Sequence, residues 1–285
     1  MKKVLMLSSL ICLVCMGISF AQDTQPTDLQ VKFDLTYGTK YVWRGFNVFG
    51  AKSAIHPTLD LFSPSTGVGF SVEGHRANSS GYENFERWDY SLYYHGKAFA
   101  DELFEMNYRF AYVYYNYPQQ SSHSKGGVAT PVNTDSGIFD LHELHTVMSF
   151  PKLLGVEGLV PSYVLVKLMP VNSGTTVGAN SGAGGTASGF AHIFMLDYAT
   201  PYVCPLTGVD RKINWHTEFV FNDGVAPNGA NADHDWSNAV FGATTAYDIN
   251  SNVSLTPGMF LQLSFDDSVN KKDQLWSTLS LTCKF

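Results

Sequence analysis

The stretch Leu103-Phe104-Glu105-Met106-Asn107-Tyr108-Arg109-Phe110-Ala111-Tyr112-Val113-Tyr114 alternates in character from one residue to the next. On an extended chain Phe104, Met106, Tyr108, Phe110, Tyr112 and Tyr114 share one face, and Glu105, Asn107, Arg109 and Ala111 share the other. Period two over this length predicts a strand with one apolar face and one polar face. In a soluble sheet the apolar face needs a second layer to cover it; against hydrocarbon it needs none.

The pattern recurs over residues 29–46, 55–62, 68–77, 86–95, 103–117, 139–150, 159–171, 189–200, 212–222, 238–249, 253–265 and 274–285. These twelve segments, an even count, predict an all-β, twelve-stranded antiparallel transmembrane barrel of up-and-down topology. The breaks alternate as well. Those around Ser65, Ala98, Val156, Leu206 and Asn250 are tight or modest, whereas those around Ala51, Ser80, Ser124, Asn180, Asn228 and Val269 include the longest and most polar. Short periplasmic turns and longer external loops follow this order, with 118–138 and 172–188 the longest loops. Pro57, Pro161 and Pro257 fall inside or near predicted strands, where each removes a ladder donor, so shifted boundaries or bulges are expected there. His192 falls on the lipid side in this register.

Composition agrees with a barrel. Aromatic residues make up 14% of the 285, charged residues only 15%, and 25 glycines punctuate the chain, which excludes both disorder and long charged helices. The formal net charge of −7 becomes more negative once a leader carrying Lys2 and Lys3 is removed, so no basic surface for nucleic acid is implied. That leader is read from the two lysines, the apolar run 4–18 and the cleavable pattern Ser19-Phe20-Ala21. The run is shorter than the roughly 20 residues of a spanning helix. The expected organisation is a signal peptide over 1–21, a short periplasmic segment over 22–28, and one barrel over 29–285. Only Cys204 and Cys283 then remain, too few for a disulfide framework; Cys204 falls in the periplasmic turn after strand eight and Cys283 near the periplasmic end of strand twelve, and these strands are not neighbours. Two thiols are expected.

The opening of the barrel carries Tyr41-Val42-Trp43-Arg44-Gly45-Phe46, then Ile55-His56-Pro57-Thr58-Leu59-Asp60, Gly69-Phe70-Ser71-Val72-Glu73-Gly74 and Glu86-Arg87-Trp88-Asp89-Tyr90. This succession resembles the first strands of TorF-type porins, with Trp43 where phenylalanine is commoner. The match covers about the first hundred residues. It implies a bacterial outer-membrane barrel with a channel role and a poorly defined solute. The final strand places Leu279, Leu281, Cys283 and Phe285 on one face, and a terminal phenylalanine resembles the signal read by the outer-membrane assembly machinery.

From the residues themselves, Tyr37, Tyr41 and Trp43, with Trp88, Tyr112 and Tyr114, are expected on the lipid side as an aromatic girdle. The opposite faces gather Lys32, Asp34, Lys40, Arg44, Asp60, Glu73, Arg87, Asp89, Glu105, Arg109, Glu143, Lys167, Glu218 and Lys284, as many basic as acidic. A balanced interior predicts either weak ion selectivity or internal salt bridges that narrow the bore. Arg44, Glu73, Arg87, Asp89, Glu105, Arg109, Glu143 and Glu218 are the candidate pore-lining residues. The expected partners are outer-membrane lipids, the assembly machinery through Phe285, and small hydrophilic solutes.

Three other functions have some basis in the residues. A plugged or adhesin-like barrel would use the charges as a ladder and the Gly-Ser-Asn-rich loops as a binding surface. A barrel hydrolase like outer-membrane phospholipase A would draw on His75, Asn78, Ser79 and Ser80, but His75 faces the lumen while a lipid-cleaving nucleophile must meet the bilayer. His142 and His145 point to opposite sides of a strand and are one residue short of the metalloprotease spacing. No catalytic, cofactor or metal-binding set is predicted.

Overall fold

In a computed structural model of the chain, residues 28–118, 140–171, 189–205, 208–223 and 234–285 are described. The strands in chain order are β1 (Gln30–Gly38), β2 (Val42–Trp43), β3 (Phe46–Asn47), β4 (Ala54–Phe62), β5 (Val68–Ala77), β6 (Arg87–Ala98), β7 (Met106–Asn116), β8 (Leu141–Ser149), β9 (Leu159–Pro170), β10 (Gly189–Val203), β11 (Asp210–Asp223), β12 (Asp235–Thr245), β13 (Tyr247–Asp248), β14 (Val253–Ser264) and β15 (Gln274–Lys284). Each long strand pairs antiparallel with its sequence neighbour; β1 pairs with β15 and β12 with β14, so twelve strands close into a barrel. Closure extends to the last residue, since Val31 and Phe285 exchange backbone hydrogen bonds at 3.1 and 2.9 Å. A closed ring leaves no edge and satisfies the backbone internally, which hydrocarbon demands of anything that spans it.

Alternation sorts the side chains. Across β1 and β15, Phe33, Leu35 and Tyr37 lie opposite Cys283, Leu281 and Leu279 on the outside, while Asp34 and Thr36 lie opposite Thr282 and Ser280 on the inside. Inside, the Thr282 hydroxyl donates to Asp34 at 2.6 Å. Outside, Leu92, Phe110 and Leu275 are 58%, 51% and 59% exposed, and exposed tyrosines, tryptophans and phenylalanines continue around the ring. An apolar surface so extensive is far beyond what a water-soluble monomer tolerates.

Turns 63–67, 99–105, 150–158 and 249–252, with Asp28, Cys204 and Phe285, lie at one end; segments 39–53, 78–86 and 265–273, with the C-terminal ends of β7, β9 and β11, lie at the other. The predicted loop 118–138, save Pro118, the predicted loop 172–188 and the predicted leader over 1–21 lie outside the described residues.

Several boundaries differ from expectation. The first strand ends at Gly38 rather than at residue 46, because the chain leaves the wall there and turns into the barrel. Leu103 and Phe104 belong to a turn, where Phe104 packs edge-on against Phe99 at 5.1 Å; β7 begins at Met106. Pro161 and Pro257 sit within strands, opposite Leu196 and Leu279, without breaking the register. At His56 and Pro57 the pairing to β5 is interrupted, yet Ile55 opposite Arg76 and Thr58 opposite Glu73 keep one register across the gap. The register shift of the barrel lies elsewhere, between β11 and β12, where Val220 faces Asn238 and Phe221 faces Trp236, leaving Ser237 extra. His192 does face outward, its Nδ1 2.7 Å from the Tyr163 hydroxyl, which gives the ring a partner on the apolar side.

Candidate functional site

Residues 39–53 fold into the lumen. Strands β2 and β3 form a hairpin whose two-residue turn, Arg44-Gly45, has φ of 47° and 91°. Positive φ at both central positions matches the twist of the flanking strands. A Cβ on Gly45 would come within 2.7 Å of both Asn238 Oδ1 and Val269 Cγ1, so glycine is required by space as well as by φ.

The hairpin is held from several walls. Arg44 Nη2 donates to Glu143 Oε1 on β8 at 2.6 Å, with side-chain exposures of 10% and 0%. The Gly45 carbonyl accepts from Gln262 on β14 at 2.9 Å and from Asn270 at 3.0 Å. Lys40 and Asn47 donate to Gln274 on β15 at 2.9 and 3.2 Å. Phe49 is fully buried and, with Tyr41, packs against Ala54 and Ala77 at the barrel rim.

Below the hairpin, Arg87 on β6 organises a second group. Its guanidinium lies 4.0 Å from the Trp43 ring and 4.4 Å from the Tyr115 ring, sandwiched between the hairpin and β7. The same guanidinium donates to Asp89 at 2.6 and 2.8 Å and to the Tyr41 hydroxyl at 2.9 Å. Asp89 Oδ2 meets His75 Nε2 at 3.0 Å, and His75 Nδ1 lies 2.8 Å from His56 Nδ1. Tyr41 stacks on His75, with centroids 4.7 Å apart and planes within 8°.

The remaining predicted residues fall as follows. Glu73 on β5 points inward and is half-buried beside His75. Arg109 lies over the Tyr93 ring at 4.3 Å, and Glu218 faces inward with His216 Nε2 at 3.8 Å. Glu105 does not line the wall. It closes the turn 99–105 at the rim, where Lys97 and Lys152 reach it at 2.9 and 2.8 Å. Lys167 lies on the outer side, opposite Leu144 and Phe190, with its ammonium 4.3 Å above the Phe190 ring. Tyr37, Trp88, Tyr112 and Tyr114 face outward, and Tyr114 donates to Asp140 at 2.6 Å. Tyr41 and Trp43 do not. The segment that carries them has left the wall, and both are inside the barrel.

The interior is not uniformly polar. Along β8 to β11, Val164, Val166, Ala191, Ile193 and Val220 form a buried apolar cluster with Val147 and Met195. At the short-turn end a cavity of about 460 Å³ opens among Lys32, Asp60, Tyr93, His95 and Lys284. Beside Arg44, a pocket between Val166, Ala191 and Asn222 holds only about 10 Å³. The cavity below the hairpin is thus far larger than the one beside Arg44.

Two features escaped the sequence reading, and each left a trace. A strand over 29–46 is nearly twice the ~9–11 residues that cross a bilayer, so part of it had to go elsewhere. His56 and His75 meet because Phe62 faces Gly69 across the turn; counting back in pairs brings 56 opposite 75. His75 donates to neither Ser79 nor Ser80; its nitrogens are engaged by His56, Asp89 and Arg87.

No family model matches the chain, and no curated protein matches it. Among solved structures, the NanC porin superposes with a TM-score of 0.52 at 10% identity, covering 89% of this chain and all (100%) of that one. An outer-membrane channel from Pseudomonas putida F1 superposes with a TM-score of 0.50 at 12% identity, covering 93% of this chain and 98% of that one. At these identities the likeness is one of architecture: the chain has the closed barrel fold seen in these outer-membrane porins and channels.

Proposed function

We propose that this chain is a bacterial outer-membrane channel through which small hydrophilic solutes diffuse, its bore narrowed by the hairpin at residues 42–47. The observation that carries the reading is the division of faces on one closed ring: apolar and aromatic residues outside, and Lys32, Asp34, Asp60, Glu73, Asp89 and Arg109 inside. Charges that would be costly toward lipid face the water-accessible side. The long-loop end is external in this reading, the leader directs export, and Phe285 addresses the assembly machinery.

A second reading, a closed barrel without conduction, is favoured by the seam of Arg44, Glu143, Gln262 and Gln274 around the hairpin. Planar-bilayer recording of the refolded full chain separates the two. Small, reproducible steps that enlarge when residues 41–49 are replaced by a Gly-Ser linker support the narrowed channel. Silence that ends only with the linker supports the closed barrel, and silence from both proteins overturns the channel.

A further inference from the structure

His56, Glu73 and His75 come from two adjoining strands and converge at the one interruption of the β4–β5 ladder, their ligating atoms all within 4.8 Å of one another. We propose that they form a binding site for a divalent first-row transition metal, of the zinc or copper class, on the lumen wall. The proposal is independent of conduction.

The chemistry of the donors selects the class. Two imidazoles and one carboxylate suit zinc, copper, nickel and iron, whereas calcium and magnesium prefer all-oxygen sets. Asp89, which can only accept, faces Nε2 of His75 at 3.0 Å, closer than Arg87 Nη2 at 3.3 Å; this assigns the proton to Nε2 and leaves Nδ1 as a lone-pair donor. A ligating histidine held through its other nitrogen by a carboxylate is the usual second layer of such sites. Asp89 is in turn fixed by the two Arg87 hydrogen bonds, and Arg87 by its two aromatic neighbours.

The proton between the two Nδ1 atoms is what a metal would replace. With His75 Nδ1 unprotonated, the 2.8 Å contact requires His56 to donate from Nδ1. Binding moves that proton to His56 Nε2, so each ring stays neutral and no proton is released. Two nitrogens bound at about 2.0–2.1 Å with a tetrahedral angle lie about 3.3 Å apart, so the rings need to part by about 0.5 Å. Tyr41 covers the pair from the hairpin side. Glu73, two residues nearer the short-turn end and only half-buried, completes the set from the side that opens on the lumen.

The test uses the refolded full chain without a histidine tag, titrated with Zn2+ by calorimetry. One equivalent bound at micromolar Kd or tighter is expected. His56→Asn and His75→Asn should each weaken it at least 100-fold and Glu73→Gln about tenfold, while the outward His192→Asn leaves it unchanged. Heat-modifiable migration verifies that each variant is folded. Copper-catalysed oxidation of the unaltered protein, mapped by mass spectrometry, identifies ligands without any substitution and should mark His56 and His75. No stoichiometric Zn2+ binding, binding that survives both histidine changes or is lost instead with His216→Asn, or oxidation elsewhere would overturn the site.

Discussion

The Arg44 guanidinium, at the tip of a hairpin that leaves the wall between β1 and β4, lies 2.6 Å from the Glu143 carboxylate on β8, about half-way around the ring. A turn made from one side of the barrel is thereby anchored to the opposite side. Glu143 is wholly buried, and its second oxygen has no hydrogen-bond partner among the described residues. The pair thus sets where the hairpin sits.

Removing one partner strands a buried charge, which costs about 3–5 kcal/mol, whereas removing both costs far less. Arg44→Ala should lower stability to urea in lipid vesicles by an amount of that order and enlarge single-channel steps. Arg44→Met combined with Glu143→Leu should recover most of the stability. Equal losses in the single and double variants would show that the ion pair does not hold the hairpin.

Gly45→Ala tests the turn itself. A Cβ there meets Asn238 and Val269 at 2.7 Å, on a backbone with φ of 91°. A non-glycine residue in such a conformation costs on the order of 1–3 kcal/mol before any clash. The expected result is faster proteolysis within 39–53 with the barrel intact. Unchanged cleavage would mean that the hairpin adapts freely.

Tryptophans report which face meets lipid. Trp88, Trp215 and Trp236 lie on the outer face and are 41%, 47% and 43% exposed, whereas Trp43 stacks on Arg87 inside and Trp276 stacks on Phe260 at 5.3 Å. In single-tryptophan variants reconstituted with brominated lipids, the first three should be strongly quenched and the last two should not. Quenching of Trp43 equal to that of Trp88 would place the hairpin outside the barrel.

Glu105, in the turn 99–105, accepts hydrogen bonds from Lys152, Lys97 and the Asp101 N–H, which lower its pKa from 4.5 to about 2. The folded state favours the carboxylate. Its contribution is therefore complete above the ordinary carboxyl value and disappears as pH falls through about 2. A carbon-13 titration of the Glu105 carboxyl should show that low midpoint, and Lys97→Ala with Lys152→Ala should return it toward the ordinary range. A midpoint near 4.5 in the unaltered protein would remove these contacts from solution.

Sequence alone determined the ring and its two faces. A strand has a side-chain period of two, so the alternation in 106–116 specifies both the extended chain and which residues share a face, and the order of short and long breaks specifies up-and-down pairing. Arg87, Asp89, Arg109 and Glu143 fall inside on that basis alone. Tertiary structure decided what the interior does with them. Tyr41 and Trp43 continue the alternation of β1, and no local rule says that the wall ends at Gly38; only the pocket formed by Arg87, Tyr115 and Glu143, far away in sequence, draws the segment inward. Which inward charges meet, and whether they line a bore or fill it, depends on groups brought together across the ring. Period-two patterning sees the two sides of one strand, and it carries no information about what lies across the barrel.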